Sequence, residues 1–214
     1  MITHEEINKM EKKNSEEWIQ FVEANSFSPE ELALLYCYGL DWSGLLIDPE
    51  NISSVTSAFL NCGMDPNRLV TDDPNPNKDR TKNYYLTPTI AATRYGFENP
   101  GCAASLKLLF EHGGDPNVIT IFEEPGENGE NYDENVTDFY YWDFYAYGPN
   151  LDYGLLLCFA YGGRYVNEVE PFEMLIDAPP SVFKDYEKYW FEKGDGSMYV
   201  IEKESGKRVA KWVF

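Results

Sequence analysis

The chain has 214 residues, of which 43% are hydrophobic, 16% aromatic and 25% charged, a composition of one or two folded domains that excludes a disordered or collagen-like polymer. Its 37 Asp and Glu against 17 Lys and Arg leave a formal net charge of -20. That balance disfavours nucleic acid and anionic membranes, whose binding needs cations at the contact, and favours basic proteins or cations as long-range partners.

In chain order, residues 1–27 come first, polar and acid-rich at the start. Apolar spacing at Ile7, Met10, Trp18, Ile19 and Val22 predicts a helix within Glu5–Glu23 that caps the open end of the neighbouring helices. No apolar run approaches the roughly 18 residues that span a bilayer, and no leader opens the chain, so a cytoplasmic location is expected. Ser28-Pro29-Glu30-Glu31 is a helix start with Pro at the first position, and its helix carries Leu32, Leu34, Leu35 and Tyr36.

The middle of the chain repeats. Phe59-Leu-Asn-Cys-Gly63-Met-Asp65-Pro66-Asn67 recurs as Leu109-Phe-Glu-His-Gly113-Gly-Asp115-Pro116-Asn117, 50 residues later. A weaker copy, Cys158-Phe-Ala-Tyr-Gly162-Gly163-Arg164-Tyr165-Val166, follows after 49 more. In each, an apolar helical run ends at a Gly that can turn left-handed, and in the first two Asp-Pro-Asn then starts a turn. Upstream of the second copy, Thr87 suits a helix N-cap and Pro88 its first position, while Ala91 and Ala92 allow close helix packing.

Thr87, Pro88 and Ala92, followed by Leu106-Lys-Leu-Leu-Phe-Glu-His-Gly113-Gly-Asp-Pro-Asn117, resemble an ankyrin repeat, although Thr89 and Ile90 replace the Leu and His of that family's opening. The flanking copies, around 28–67 and 138–166, match only loosely. The resemblance implies a mainly α fold: a short helix-pair solenoid of about three divergent units over 28–178, with an N-terminal helical cap over 1–27. Because the family period is about 33 residues, each unit must hold extra chain, which falls at 68–85, 97–102 and 118–137. In such stacks the longer links lie beside the concave face, where loops bind partners.

After Pro179-Pro180, aromatic and β-branched runs separated by Gly turns predict an antiparallel β-meander over 179–214, with strands at 188–192, 198–202 and 208–214. A helix over Ser181–Glu192 is the alternative for its first part.

Charge is concentrated in one window. No Lys or Arg occurs between Lys107 and Arg164, and residues 108–163 sum to -11, whereas 184–214 sum to +1. Glu123, Glu124, Glu127, Glu130, Asp133 and Glu134 precede a run with seven aromatics in nine positions, including Tyr140, Tyr141, Trp142 and Tyr145. Carboxylates beside ring faces suit Lys and Arg recognition, so these ten residues are the candidate partner-binding set. The plain alternative is a solvated acidic loop next to rings that fill the core of a divergent unit.

Catalysis has little to stand on. His4 and His112 are the only histidines, and His112 sits where a ring suits a helix C-terminus. Asp73-x-Asn75-x-Asn77 begins like a calcium loop, but Lys78 and Tyr84 replace its Gly and Glu. Cys37, Cys62, Cys102 and Cys158 form no ligand cluster and read as buried thiols. No cofactor or metal is therefore expected. The ankyrin resemblance implies a non-catalytic binding protein, and the charge map points to a basic partner. Together they suggest an immunity- or antitoxin-like inhibitor that offers carboxylates where phosphates would sit. The rival is a sugar-like ligand site or enzyme built from Tyr186, Tyr189, Trp190, Tyr199 and Trp212.

Overall fold

A computed structural model describes residues 14–42, 52–70, 86–94, 101–122, 132–134, 151–164, 174–176, 179–194 and 197–213. Helix α1 (Ser15–Ala24) begins at a reciprocal cap: Asn14 Oδ1 accepts the Glu17 N–H at 2.9 Å, and Glu17 Oε2 accepts the Asn14 N–H at 3.0 Å. The helix turns Trp18 and Val22 inward. Helix α2 (Pro29–Trp42) starts as its sequence predicts, with Ser28 and Glu31 exchanging the same pair of bonds at 3.0 and 3.2 Å, and it buries Leu32, Leu35 and Tyr36.

Helix α3 (Ile52–Asn61) opens on Ile-Ser-Ser-Val-Thr-Ser, a run of weak helix formers, so packing must hold it. Ile52, Val55, Thr56 and Phe59 are buried, and the Tyr36 and Thr56 hydroxyls meet at 2.7 Å. Phe59 takes the Tyr36 ring edge-on at 5.3 Å and the tilted Trp18 ring at 6.1 Å, tying α1 and α2 to α3. Helix α4 (Pro88–Arg94) is capped by Thr87, whose Oγ1 accepts the Ile90 N–H at 3.2 Å. Helix α5 (Gly101–Glu111) buries Leu106, Leu109 and Phe110. Helix α6 (Leu151–Ala160) has four consecutive fully enclosed residues, Leu155 to Cys158, so it is covered on every side.

Helices α1, α3, α5 and α6 pack one after another; α2 packs on α4, and α4 on α5. Each of α3, α5 and α6 ends in the same turn. Gly63, Gly113 and Gly162 hold φ of 98°, 91° and 87°, as a left-handed helix end requires. Each donates its N–H to the carbonyl three residues back, and the next residue donates to the one five back: Met64 to Phe59, Gly114 to Leu109 and Gly163 to Cys158. The third copy thus folds as the other two do.

The chain then adds an antiparallel sheet. Strands β1 (Thr120–Phe122) and β2 (Tyr132–Glu134) form a small separate pair, while β3 (Met174–Ile176), β4 (Tyr189–Gly194), β5 (Ser197–Glu202) and β6 (Arg208–Val213) form one sheet in the order β3-β6-β5-β4. The expected meander is β4-β5-β6; β3 adds a strand from before Pro179. Over 181–192 the two sequence readings divide the segment. Pro180–Lys188 is a 3-10 helix, broken at Asp185 (φ -92°, ψ 49°), and the strand begins at Tyr189.

The sheet and 3-10 helix close over α6. Phe183 is fully buried with its ring 5.1 Å from Tyr189; the Tyr153 ring of α6 meets Tyr186 at 5.3 Å and Phe191 at 5.1 Å, and its hydroxyl donates to the Tyr189 carbonyl at 3.1 Å. One contiguous apolar core runs from Trp18 to Ala210. One expectation about the thiols is corrected: Cys37 and Cys158 are buried, but Cys62 is exposed. It sits just past the last turn of α3, off the inward stripe, with Sγ 3.9 Å from the Val22 carbonyl.

Candidate binding surface

The segment that carries the acidic candidates follows the second of two turns held in register by asparagine side chains. Asp65 first closes its own turn, its Oδ1 accepting the Asn67 N–H at 2.9 Å, and Asp115 does the same for Asn117 at 2.8 Å. The Asn side chains then reach forward. Asn67 Nδ2 donates to the Gly113 carbonyl at 2.8 Å, and its Oδ1 accepts the Asp115 N–H at 2.7 Å. Asn117 repeats both bonds one unit on, to the Gly162 carbonyl at 3.2 Å and from the Arg164 N–H at 2.8 Å. Both exchanges are bidentate, so each fixes the distance and the orientation of the following turn. Thr89 adds a buried link, donating its hydroxyl to the Pro66 carbonyl at 2.9 Å.

Beyond each turn the chain starts an antiparallel pairing. Val70 bridges Leu86 and closes the segment 71–85; Thr120–Phe122 pairs with Tyr132–Glu134 and closes 123–131. Of the ten candidate residues, Asp133 and Glu134 lie in β2, opposite Ile121 and Thr120. Glu123, Glu124, Glu127, Glu130, Tyr140, Tyr141, Trp142 and Tyr145 lie outside the described residues, as do His4 and the 73–84 segment, while Cys102 lies in α5. The structure also exposes two apolar side chains that the sequence reading passed over, Leu69 at 40% and Ile119 at 46%, at matching places after the two Asp-Pro-Asn turns. Their shared offset from Asn67 and Asn117 was the available signal.

The C-terminal aromatics have separate settings. Tyr186 and Tyr189 are buried in the joint with α6, and burial raises both phenols, that of Tyr186 to about 12. Trp190 is 43% exposed. Tyr199 stands in register between Glu192 and Lys211, with the Arg208 guanidinium 4.0 Å above its ring, and Trp212 pairs with Met198 and Met174.

No protein-family model matches the chain, and no curated protein or solved structure matches it.

The remaining chemistry is sparse. His112 is exposed at the end of α5, its Nδ1 2.8 Å from the Leu108 carbonyl, the helix-terminal place expected for it. Among the described residues no group of three His, Cys, Asp or Glu side chains is placed to hold a metal, and no helix is long and apolar enough to cross a membrane.

Proposed function

We propose that the protein is a non-catalytic binding module: a short helix-pair stack, ankyrin-like in arrangement, that presents its acidic and aromatic segments to a basic protein. The observation that carries this reading is the repeated asparagine exchange, Asn67 to Gly113 and Asp115, then Asn117 to Gly162 and Arg164. Identical bonds set successive turns in one register, an arrangement from which repeat proteins build extended binding surfaces. The loop after the second turn opens the stretch that carries Glu123 to Glu134.

In its sharper form, the module is an immunity- or antitoxin-like inhibitor of a cationic, nucleic-acid-processing protein in a reducing compartment. Carboxylates stand in for phosphates, with Tyr140, Tyr141, Trp142 and Tyr145 as ring anchors. The test is affinity capture from the native cell with the wild type and with Glu123→Lys/Glu127→Lys/Glu130→Lys in parallel. The reading expects a basic protein held by the wild type and lost by the variant. Identical captures, or an acidic protein as the charge-dependent partner, would refute it.

A further inference from the structure

We propose that the Gly63 carbonyl and the Asp65 N–H form a binding site for an asparagine side chain presented by a partner protein. The proposal rests on the protein-binding reading above, but on neither the acidic window nor its charge.

The site is the first of a series whose other two members are filled. Asn67 seats its carboxamide on the Gly113 carbonyl and the Asp115 N–H, and Asn117 seats its own on the Gly162 carbonyl and the Arg164 N–H. One turn earlier, the same two backbone groups belong to Gly63 and Asp65. The turns are built alike. Gly63 and Gly113 share a left-handed φ, at 98° and 91°. Gly63 donates to the Leu60 carbonyl at 3.0 Å as Gly113 does to Phe110 at 3.1 Å, and Arg68 donates to the Asp65 carbonyl at 3.2 Å as Val118 does to Asp115 at 3.3 Å. The bond from Met64 to Phe59 and the hold of the Asp65 side chain on the Asn67 N–H recur in the second turn as well. These matching bonds set the carbonyl and N–H of the first turn as they are set in the second, where they take a carboxamide.

Among the described residues, neither the Gly63 carbonyl nor the Asp65 N–H has a hydrogen-bond partner. The preceding helix does not supply a clamp. Asn25, at the end of α1, donates its Nδ2 to the Phe21 carbonyl at 2.7 Å, and the chain passes through Ser28 into α2 with no Asp-Pro-Asn turn. Gly63 and Asp65 are exposed, and a Cβ on Gly63 meets nothing within 4 Å, so a ligand can reach the pair.

Chemistry selects the ligand. The pair offers one acceptor and one donor, and a primary carboxamide answers both at once with its oxygen and its NH2. A carboxylate would accept from Asp65 but repel the Gly63 carbonyl, while an ammonium or guanidinium only donates. A trans peptide group points its N–H and carbonyl in opposite directions, so a single main-chain amide does not substitute. A second copy of this chain has no spare clamp: Asn67 and Asn117 are engaged within it, and the third turn has Val166 in their place. The occupant is another protein with an asparagine on an exposed turn.

The probe is the uncharged peptide N-acetyl-Pro-Asn-N-methylamide, with its Ala analogue as the control, titrated into the full chain while backbone amides are followed by NMR. In the wild type the Asp65 N–H is expected to shift downfield and saturate, with the Asn peptide bound about tenfold more tightly than the Ala peptide, the scale of two solvent-exposed hydrogen bonds. The Asp115 N–H, held by Asn67, is expected to stay in place. In Asn67→Ala, which uncovers the second pair, Asp115 should respond as Asp65 does. An Asp65 response that is absent, or equal for the two peptides, overturns the proposal. So does an Asp115 response in the variant that Asp65 fails to match. Because both peptides are neutral, either failure leaves the charge-driven reading to its own capture experiment.

Discussion

Asn117 holds Arg164 in the way that Asn67 holds Asp115: in each pair the side-chain Oδ1 accepts the backbone N–H, at 2.8 and 2.7 Å. These bonds reach the backbone of the receiving turn. The last turn can therefore carry Arg164-Tyr165-Val166 in place of Asp-Pro-Asn and still be held, because the elements after it are the sheet and the 3-10 helix, which need no forward clamp.

Removing the clamp should be measurable. Asn67→Ala deletes two cross-unit bonds at a part-exposed site and is expected to cost about 1–3 kcal/mol in urea unfolding. Asn67→Asp keeps the acceptor for Asp115 but turns a carboxylate toward the Gly113 carbonyl, so it should rescue only part of the loss. An unchanged midpoint in Asn67→Ala would deny the ladder an energetic role.

The two glycines ending α5 should respond differently. A Cβ on Gly113 meets nothing within 4 Å, so Gly113→Ala incurs only the strain of φ 91°, about 1–2 kcal/mol. A Cβ on Gly114 falls 2.8 Å from the Leu109 carbonyl oxygen, the atom that accepts Gly114's own N–H. Neither backbone can retreat without breaking that bond, and Gly114→Ala is expected to cost about 2–4 kcal/mol. Denaturation midpoints in the reverse order would contradict the turn geometry.

The closure of the sheet over α6 can be probed at neighbouring aromatics. Phe183→Ala removes a fully buried ring and should destabilise by about 3–5 kcal/mol, while Trp190→Ala, at a half-exposed ring on the outer face, should shift stability by about 0.5 kcal/mol or less. Similar effects at both positions would mean that the 3-10 helix does not seal the core.

Alkaline titration reports on the same joint. Burial raises Tyr186 from 10.0 to about 12 in the folded chain, and Tyr161 and Tyr189 shift upward for the same first cause. The folded state then binds more protons than the unfolded chain above pH 10, so this contribution is fully present below that pH and is lost as pH rises toward about 12. Urea midpoints should fall across that window, and Tyr186→Phe, which keeps the ring and loses the proton, should flatten the fall. A slope unchanged in Tyr186→Phe would contradict the assignment.

Local chemistry made much of this fold legible. Ser28 with Glu31, Thr87 with Pro88, and the three turn glycines each carry their reason within a few residues, and each appears where the sequence places it. What depends on distant partners was not legible. Met174–Ile176 becomes a strand because Arg208–Val213 offers it an edge, and three residues give no alternation to read. Tyr132-Asp-Glu134 is a poor strand by propensity and pairs because it returns beside Thr120–Phe122. Asn67 looks locally like a turn former; its second task, holding Asp115, shows only in its recurrence as Asn117. The exposure of Leu69 and Ile119 was not legible either, since it is decided by the turn that precedes each.

The central claim is that the negative window after Asn117 draws in a basic protein. Stopped-flow association with the captured partner, followed across ionic strength for the wild type and for Glu123→Lys/Glu127→Lys/Glu130→Lys, tests it most directly. The account predicts a wild-type on-rate that falls steeply as salt rises, and a variant that is slower at low salt with a flatter dependence. On-rates that coincide for the two proteins at low salt would contradict it.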